Sequence, residues 1–141
     1  MEINNHADTT VVGSNCLPIH NFEILVDVSG YDASAGSDKC PTISRDVSYD
    51  HPISGQFYML VYHQAIHCPR FTSPLMCPMQ SRMAGVRINE LSKLLSEDPD
   101  ENTHAIIVND LLNLNEPLII LLALKGVTSY FLFRKPKVSE Y

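Results

Sequence analysis

Short β-branched and aromatic runs, each closed by Gly, Pro, Asp or Ser, recur along this chain and leave little room for long helices. "FEILVDV" (22–28) ends at Ser29-Gly30, and "TISRDVSY" (42–49) leads through a turn at "DHPISG" into "QFYMLVYH" (56–63). That pair reads as a hairpin. Further on, "HAIIV" (104–108), "LIILLAL" (118–124) and "VTSYFLF" (127–133) follow, with Lys125-Gly126 as a tight antiparallel turn between the last two. Helical signals are few. "PLMCPMQSRMAGV" (74–86) allows a short helix from about Met79. "NELSKLLSE" (89–97) sets Leu91, Leu94 and Leu95 at helical spacing behind Asn89 as an N-cap, enough for a turn or two. No internal repeat is evident. The expected class is mainly β with one or two short helices.

Composition narrows the function classes. At 141 residues, with 45% hydrophobic and 18% charged, the chain can bury a core of its own. Sixteen acidic residues against ten basic ones give a net charge of −6, which argues against phosphate-backbone binding and hence nucleic acid. The one basic cluster, "RKPK" (134–137), reads as solvated tail. "SEDPDEN" (96–102) reads as a solvated acidic linker. The longest apolar run, "PLIILLAL", is too short to cross a bilayer, so no membrane partner is expected.

Cys16, Cys40, Cys68 and Cys77 form no Cys-x-x-Cys pair and follow no secretory segment. They read as reduced thiols of an intracellular protein. His63, His67, Cys68 and Cys77 could be tried as a zinc set. Their spacing fits no common finger, and the adjacent His67 and Cys68 would face opposite sides of a strand. Neither metal nor cofactor is expected.

The stretch that bears on function is "NNHADTTVVG", residues 4–13. A strand, a tight turn of small residues, Ala-Asp-Thr and a β-branched pair are how aspartic peptidases present their catalytic carboxylate. The stretch resembles the active-site segment of retropepsins, Asp-Ser/Thr-Gly-Ala-Asp-Thr, and most of all the copia-type retrotransposon proteases. "HQAIHCPRFTSPLMCPMQ" is similar to the copia-type stretch ending in Asn-Leu-Leu-Ser-Val. The segment from "THAIIVND" through "PLIILLALKGVTSYFLFRKP" resembles the protease–integrase connector of copia-like polyproteins. The resemblance thus covers nearly the whole chain.

It implies a retropepsin-like closed β-barrel or sheet over residues 1–95, lacking its usual N-terminal segment because only Met1, Glu2 and Ile3 precede Asn4. An acidic linker (96–103) and a β segment with a C-terminal hairpin (104–141) would follow. The N-terminus admits two readings, a piece of a longer polyprotein or a frame left by a decayed element. The resemblance also implies a homodimer, an extended peptide or polyprotein substrate, and a cytoplasmic or virus-like-particle location. Asn4 stands at the catalytic Asp position. Asn5, His6 and Ala7 form the active-site turn, and Asp8 and Thr9 contact substrate. For Asp8, bracing the turn by accepting backbone N–H bonds is an equal alternative. The loop at 30–41 is the candidate flap, with a plain surface connection as its alternative.

Two departures matter. An amide at position 4 cannot take a proton from water, and in a homodimer both members of the acid pair vanish together. "LMCP" (75–78) replaces the family's second loop pattern, and Pro78 removes a backbone donor there. The expectation is an aspartic endopeptidase domain inactive as written, or a non-catalytic binding or assembly module derived from it.

Overall fold

The protein was analysed as a computed structural model, which describes residues 1–29, 37–109 and 116–141. The chain divides into two compact units. One comprises Met1–Asp8 with Leu75–Leu132, the other Thr9–Pro74 with Phe133–Tyr141. Strands dominate both, and the sheets remain open, which corrects the closed barrel expected from the resemblance.

In the first unit β1 (Glu2–Ile3) runs parallel to β6 (Leu75–Met76), with Glu2 opposite Leu75 and Ile3 opposite Met76. On its other side β1 pairs antiparallel with β11 (Thr128–Tyr130), which forms a hairpin with β10 (Ala123–Lys125). Lys125 faces Thr128, so the two-residue turn is Gly126-Val127, one residue later than the sequence suggests. Gly126 takes φ +62°, the left-handed conformation that the first position of such a turn requires. A second sheet joins β7 (Arg87–Asn89), β8 (Ala105–Val108) and β9 (Leu118–Leu121) in antiparallel order. Ile88, Ile106 and Ile120, direct cross-strand partners, are buried on one face, and Ile107 is buried on the other. The acidic segment 96–103 joins β7 to β8, two paired strands of this unit.

Helix α1 (Pro78–Met83) begins where the methionine-rich stretch predicted. Pro78 occupies its first turn, where an N–H has no helical partner, so the expected lost donor costs nothing. Cys77 caps the helix, its Sγ accepting the Gln80 N–H at 3.4 Å. The second predicted helix shrinks to one 3₁₀ turn, Lys93–Leu95, capped by Ser92. Asn89 instead ends β7, its Oδ1 accepting the Leu91 N–H at 3.2 Å.

In the second unit the order is β2 (Val11–Val12), β5 (Phe57–His67), β4 (Ser37–Asp50) and β3 (Leu17–Ser29). β2 lies parallel to β5, and β4 and β5 form the predicted hairpin across a turn at 51–56. Of the loop read as a candidate flap, 30–36 lies outside the described residues, and 37–41 belongs to β4.

Arg45 is buried in this unit, and among the described residues no carboxylate pairs with it. Its Nη1 donates to the Gly13 and Cys16 carbonyls, and its Nη2 meets His67 Nε2 at 2.8 Å. Burial, then the Arg45 charge, lowers the His67 pKa, so the ring is neutral and accepts this bond. Two expectations change here. Cys40 and Cys68, with Cα atoms 5.8 Å apart, are joined as a disulfide rather than reduced, while Cys16 and Cys77 are buried thiols. The "RKPK" segment is also no solvated tail. Arg134 pairs with Ser48 as a β-bridge, and its guanidinium grips Asp50 (2.7 and 2.8 Å) and Glu140 (2.6 and 2.9 Å). Lys135 and Lys137 remain exposed.

Reducing the Cys40–Cys68 bond is expected to lower unfolding free energy by about 2–4 kcal/mol, because the unbridged chain gains loop entropy. Urea titration with and without reductant measures this, and Cys40→Ser should make the difference vanish. The Arg134 grip has a sign in pH. Its hydrogen bonds hold Glu140 down at about 2 and also lower Asp50. The clamp's contribution is therefore complete above ordinary carboxylate values and fades as pH falls toward 2. The protection factor of the Ser48 amide, its exchange rate relative to the intrinsic rate at each pH, should fall over that window, and in Arg134→Ala that fall should be absent.

Candidate functional site

The residues singled out in the sequence lie at the end of β1. The Asn4 N–H donates to the Met76 carbonyl at 3.0 Å, which ties the strand end to β6. The Ala7 N–H then bonds the Asn4 carbonyl at 3.2 Å, closing a turn over Asn5 and His6. Within that turn the Asn4 Oδ1 accepts the His6 N–H at 2.9 Å. This is the local side-chain bond that suits Asn and Asp equally to turn starts. Asn4 and Ala7 are half-buried, whereas Asn5, His6 and Asp8 are exposed.

Two residues that sequence reasoning missed hold the turn from outside. The Asn5 Nδ2 donates to Glu90 Oε2 at 2.7 Å, and Arg82 Nη2 on α1 donates to Glu90 Oε1 at 3.0 Å and to the Ile88 carbonyl at 3.1 Å. Glu90 therefore bridges the turn to the last helical turn of α1. Asn5 and Glu90 are 85 positions apart, and no local pattern marks such a pair. Asp8 makes no side-chain hydrogen bond among the described residues, so the turn-bracing alternative has no bond to rest on. Thr9 opens the second unit.

The turn borders an open cleft of about 790 Å³ in the first unit. Asn4, Asn5, His6 and Glu90 supply its polar side. Leu91, Leu94, Leu95 and Val127 supply an apolar side, with Leu94 at 89% and Val127 at 99% exposure. The three leucines read at helical spacing thus stand open to solvent. A cleft lined by both polar groups and exposed aliphatics suits an extended, partly apolar chain.

Its proton-transfer chemistry is thin. His6 has no partner among the described side chains, and Glu90 is committed to Asn5 and Arg82. Beneath the cleft, His104 Nε2 and Ser129 Oγ lie 3.0 Å apart, both buried. Burial first, then Lys93, lowers the His104 pKa and keeps the ring neutral. His104 also adopts φ +57°, and its carbonyl accepts the Leu122 N–H at 3.0 Å. No group among the described residues orients its other ring nitrogen, and the pair serves as a strut between the segment entering β8 and β11. Among the described residues no three His, Cys, Asp or Glu side chains gather as a metal site. In the zinc set considered, His63 bonds Ser44 at 3.0 Å, His67 meets Arg45, Cys68 is disulfide-bonded and Cys77 caps α1.

Comparison with protein-family models, with curated proteins and with solved structures finds no match. No helix among the described residues is long and apolar enough to cross a membrane.

Replacing Glu90 with Ala is expected to free the turn while leaving the fold in place. The exposed ion pair it breaks is worth at most about 1 kcal/mol. Backbone order parameters at Asn5 and His6 should fall from about 0.85 toward 0.6 or below. Unchanged order at Asn5 would show that the turn does not depend on this bridge.

Proposed function

We propose that the chain is a degenerate retropepsin-like aspartic endopeptidase domain of a copia-type retroelement polyprotein, inactive as written because Asn4 replaces the catalytic Asp. One observation carries the reading. β1 ends in a closed turn at Asn4, held at its start by a bond to a parallel neighbour strand, and the Val11–Val12 strand follows a few residues later. Such an arrangement presents the position-4 side chain at a strand end, where a peptidase of this kind would hold its carboxylate.

In that chemistry two carboxylates, one from each subunit, share a proton. One takes a proton from the attacking water while the other donates to the departing amine. An amide supplies neither step. Asn4 retains the acceptor that holds the His6 N–H and lacks the group that would do the work. Asp8 and Thr9 keep the family's substrate-contact positions, and the implied substrate is an extended peptide.

A second reading has its own support in the open cleft. Exposed Leu91, Leu94 and Val127 beside a polar turn suit a module that binds an extended peptide, or a second copy, without cutting it.

Asn4→Asp decides between them. On a peptide library between pH 4 and 7 the unaltered chain should be silent. The variant should gain at least about a hundredfold, the usual value of one positioned acid–base group, and a statine-type inhibitor should block it. Inhibitor-sensitive cleavage by the unaltered chain would overturn the assignment of Asn4. Silence from a folded Asn4→Asp chain that still binds the inhibitor would favour the binding module.

A further inference from the structure

β4 is longer than the strand that covers it. β3 accompanies it only as far as Leu17, opposite Asp46, and beyond that point the same edge of β4 has no β3 partner. Ser48, the next residue whose backbone faces that edge, is fully buried all the same, because the C-terminal segment lies there. Ser48 and Arg134 exchange both backbone hydrogen bonds at 2.9 Å, extending the sheet by one antiparallel bridge. Arg134 takes both oxygens of Asp50, Glu140 reaches Ser48 Oγ at 3.2 Å, and the Tyr141 hydroxyl donates to Asp46 Oδ2. Pro136 is buried and has no N–H to satisfy.

This is strand addition with side-chain specificity: backbone bonds supply pairing, and two carboxylates on the strand read an Arg and a Tyr seven positions apart. The ligand is part of the same chain, yet 84 positions separate Arg134 from Asp50. Leu132, the last residue of the first unit before the segment begins, is 78% exposed. An edge of this kind, if left bare, is an open template for another strand. A second copy carries the identical complement, and exchange would keep every contact described here while changing only which chain supplies it.

We propose that residues 46–50 of β4 form a strand-acceptor site whose occupant in trans is the Phe133–Tyr141 segment of a second copy, exchanged for the chain's own. The site is separate from the Asn4 turn and does not rest on what that turn does.

The test uses the full chain with two charge reversals. Asp50→Arg repels its own Arg134, and Arg134→Asp repels its own Asp50, so each variant alone should hold its tail poorly. Mixed one to one, each tail meets an acceptor of opposite charge on the other copy. Sedimentation velocity should then show a dimer at least tenfold tighter than either variant alone forms. A mixture that stays monomeric, while the double variant in one chain restores its own tail's resistance to trypsin, would overturn the proposal. A second readout needs no altered chain. A labelled peptide of residues 133–141 should bind the unaltered protein saturably, and its Arg134→Asp form should bind at least tenfold more weakly. Absence of binding at millimolar peptide would also overturn it.

Discussion

The candidate site depends on a strand two residues long. Glu2 and Ile3 could not hold an extended conformation alone, and they do so because β6 and β11 flank them on both edges. Backbone bonds extend the pairing beyond the strand: the Asn4 N–H to Met76, and the Phe131 N–H to the Met1 carbonyl at 3.1 Å. Ile3 and Met76 are buried, so the strand is held by packing as well as by hydrogen bonds. Everything that follows, the turn over Asn5 and His6, the reach of Asn5 to Glu90 and the border of the cleft, inherits its position from that pairing.

The turn separates geometry from chemistry. The Asn4 carbonyl closes it, and one side-chain oxygen on residue 4 steadies it by accepting the His6 N–H. An amide meets that second demand as well as a carboxylate does. Proton transfer needs a group that titrates, and here an amide fails. A turn of this kind can therefore form with either Asn or Asp at residue 4, since folding tests only the acceptor. The Arg82–Glu90–Asn5 chain fits the same view. It constrains the turn from outside and uses no property of residue 4.

Local structure was largely legible in the sequence, and long-range structure was not. The β4–β5 hairpin, the β10–β11 hairpin and α1 all follow from β-branched runs, a glycine at a turn and a proline at a helix start. Of the helical segment read behind Asn89, one 3₁₀ turn forms. Asn89 misled as its cap because, still within β7, it pairs with Ala105, and Ser92 caps the turn instead. The Cys40–Cys68 bond was missed because neither cysteine belongs to a local motif. The two meet where the β4–β5 ladder ends, two residues past the Thr42–Ile66 pair. The tail was misread for a related reason. A basic cluster looks solvated until Asp50 and Glu140, one of them far away in sequence, are seen beside Arg134.

Under the proposed function, residue 4 serves the turn as an acceptor, and an Asp there would keep that bond while adding a group that titrates. Native-state hydrogen exchange at the Asn4 and His6 amides, compared between the unaltered chain and Asn4→Asp at pH 7, tests it most directly. Equal protection at both amides is expected, because a carboxylate oxygen can take the place of Oδ1. Loss of His6 protection in a variant that remains folded elsewhere would contradict it, since the turn would then depend on the amide itself.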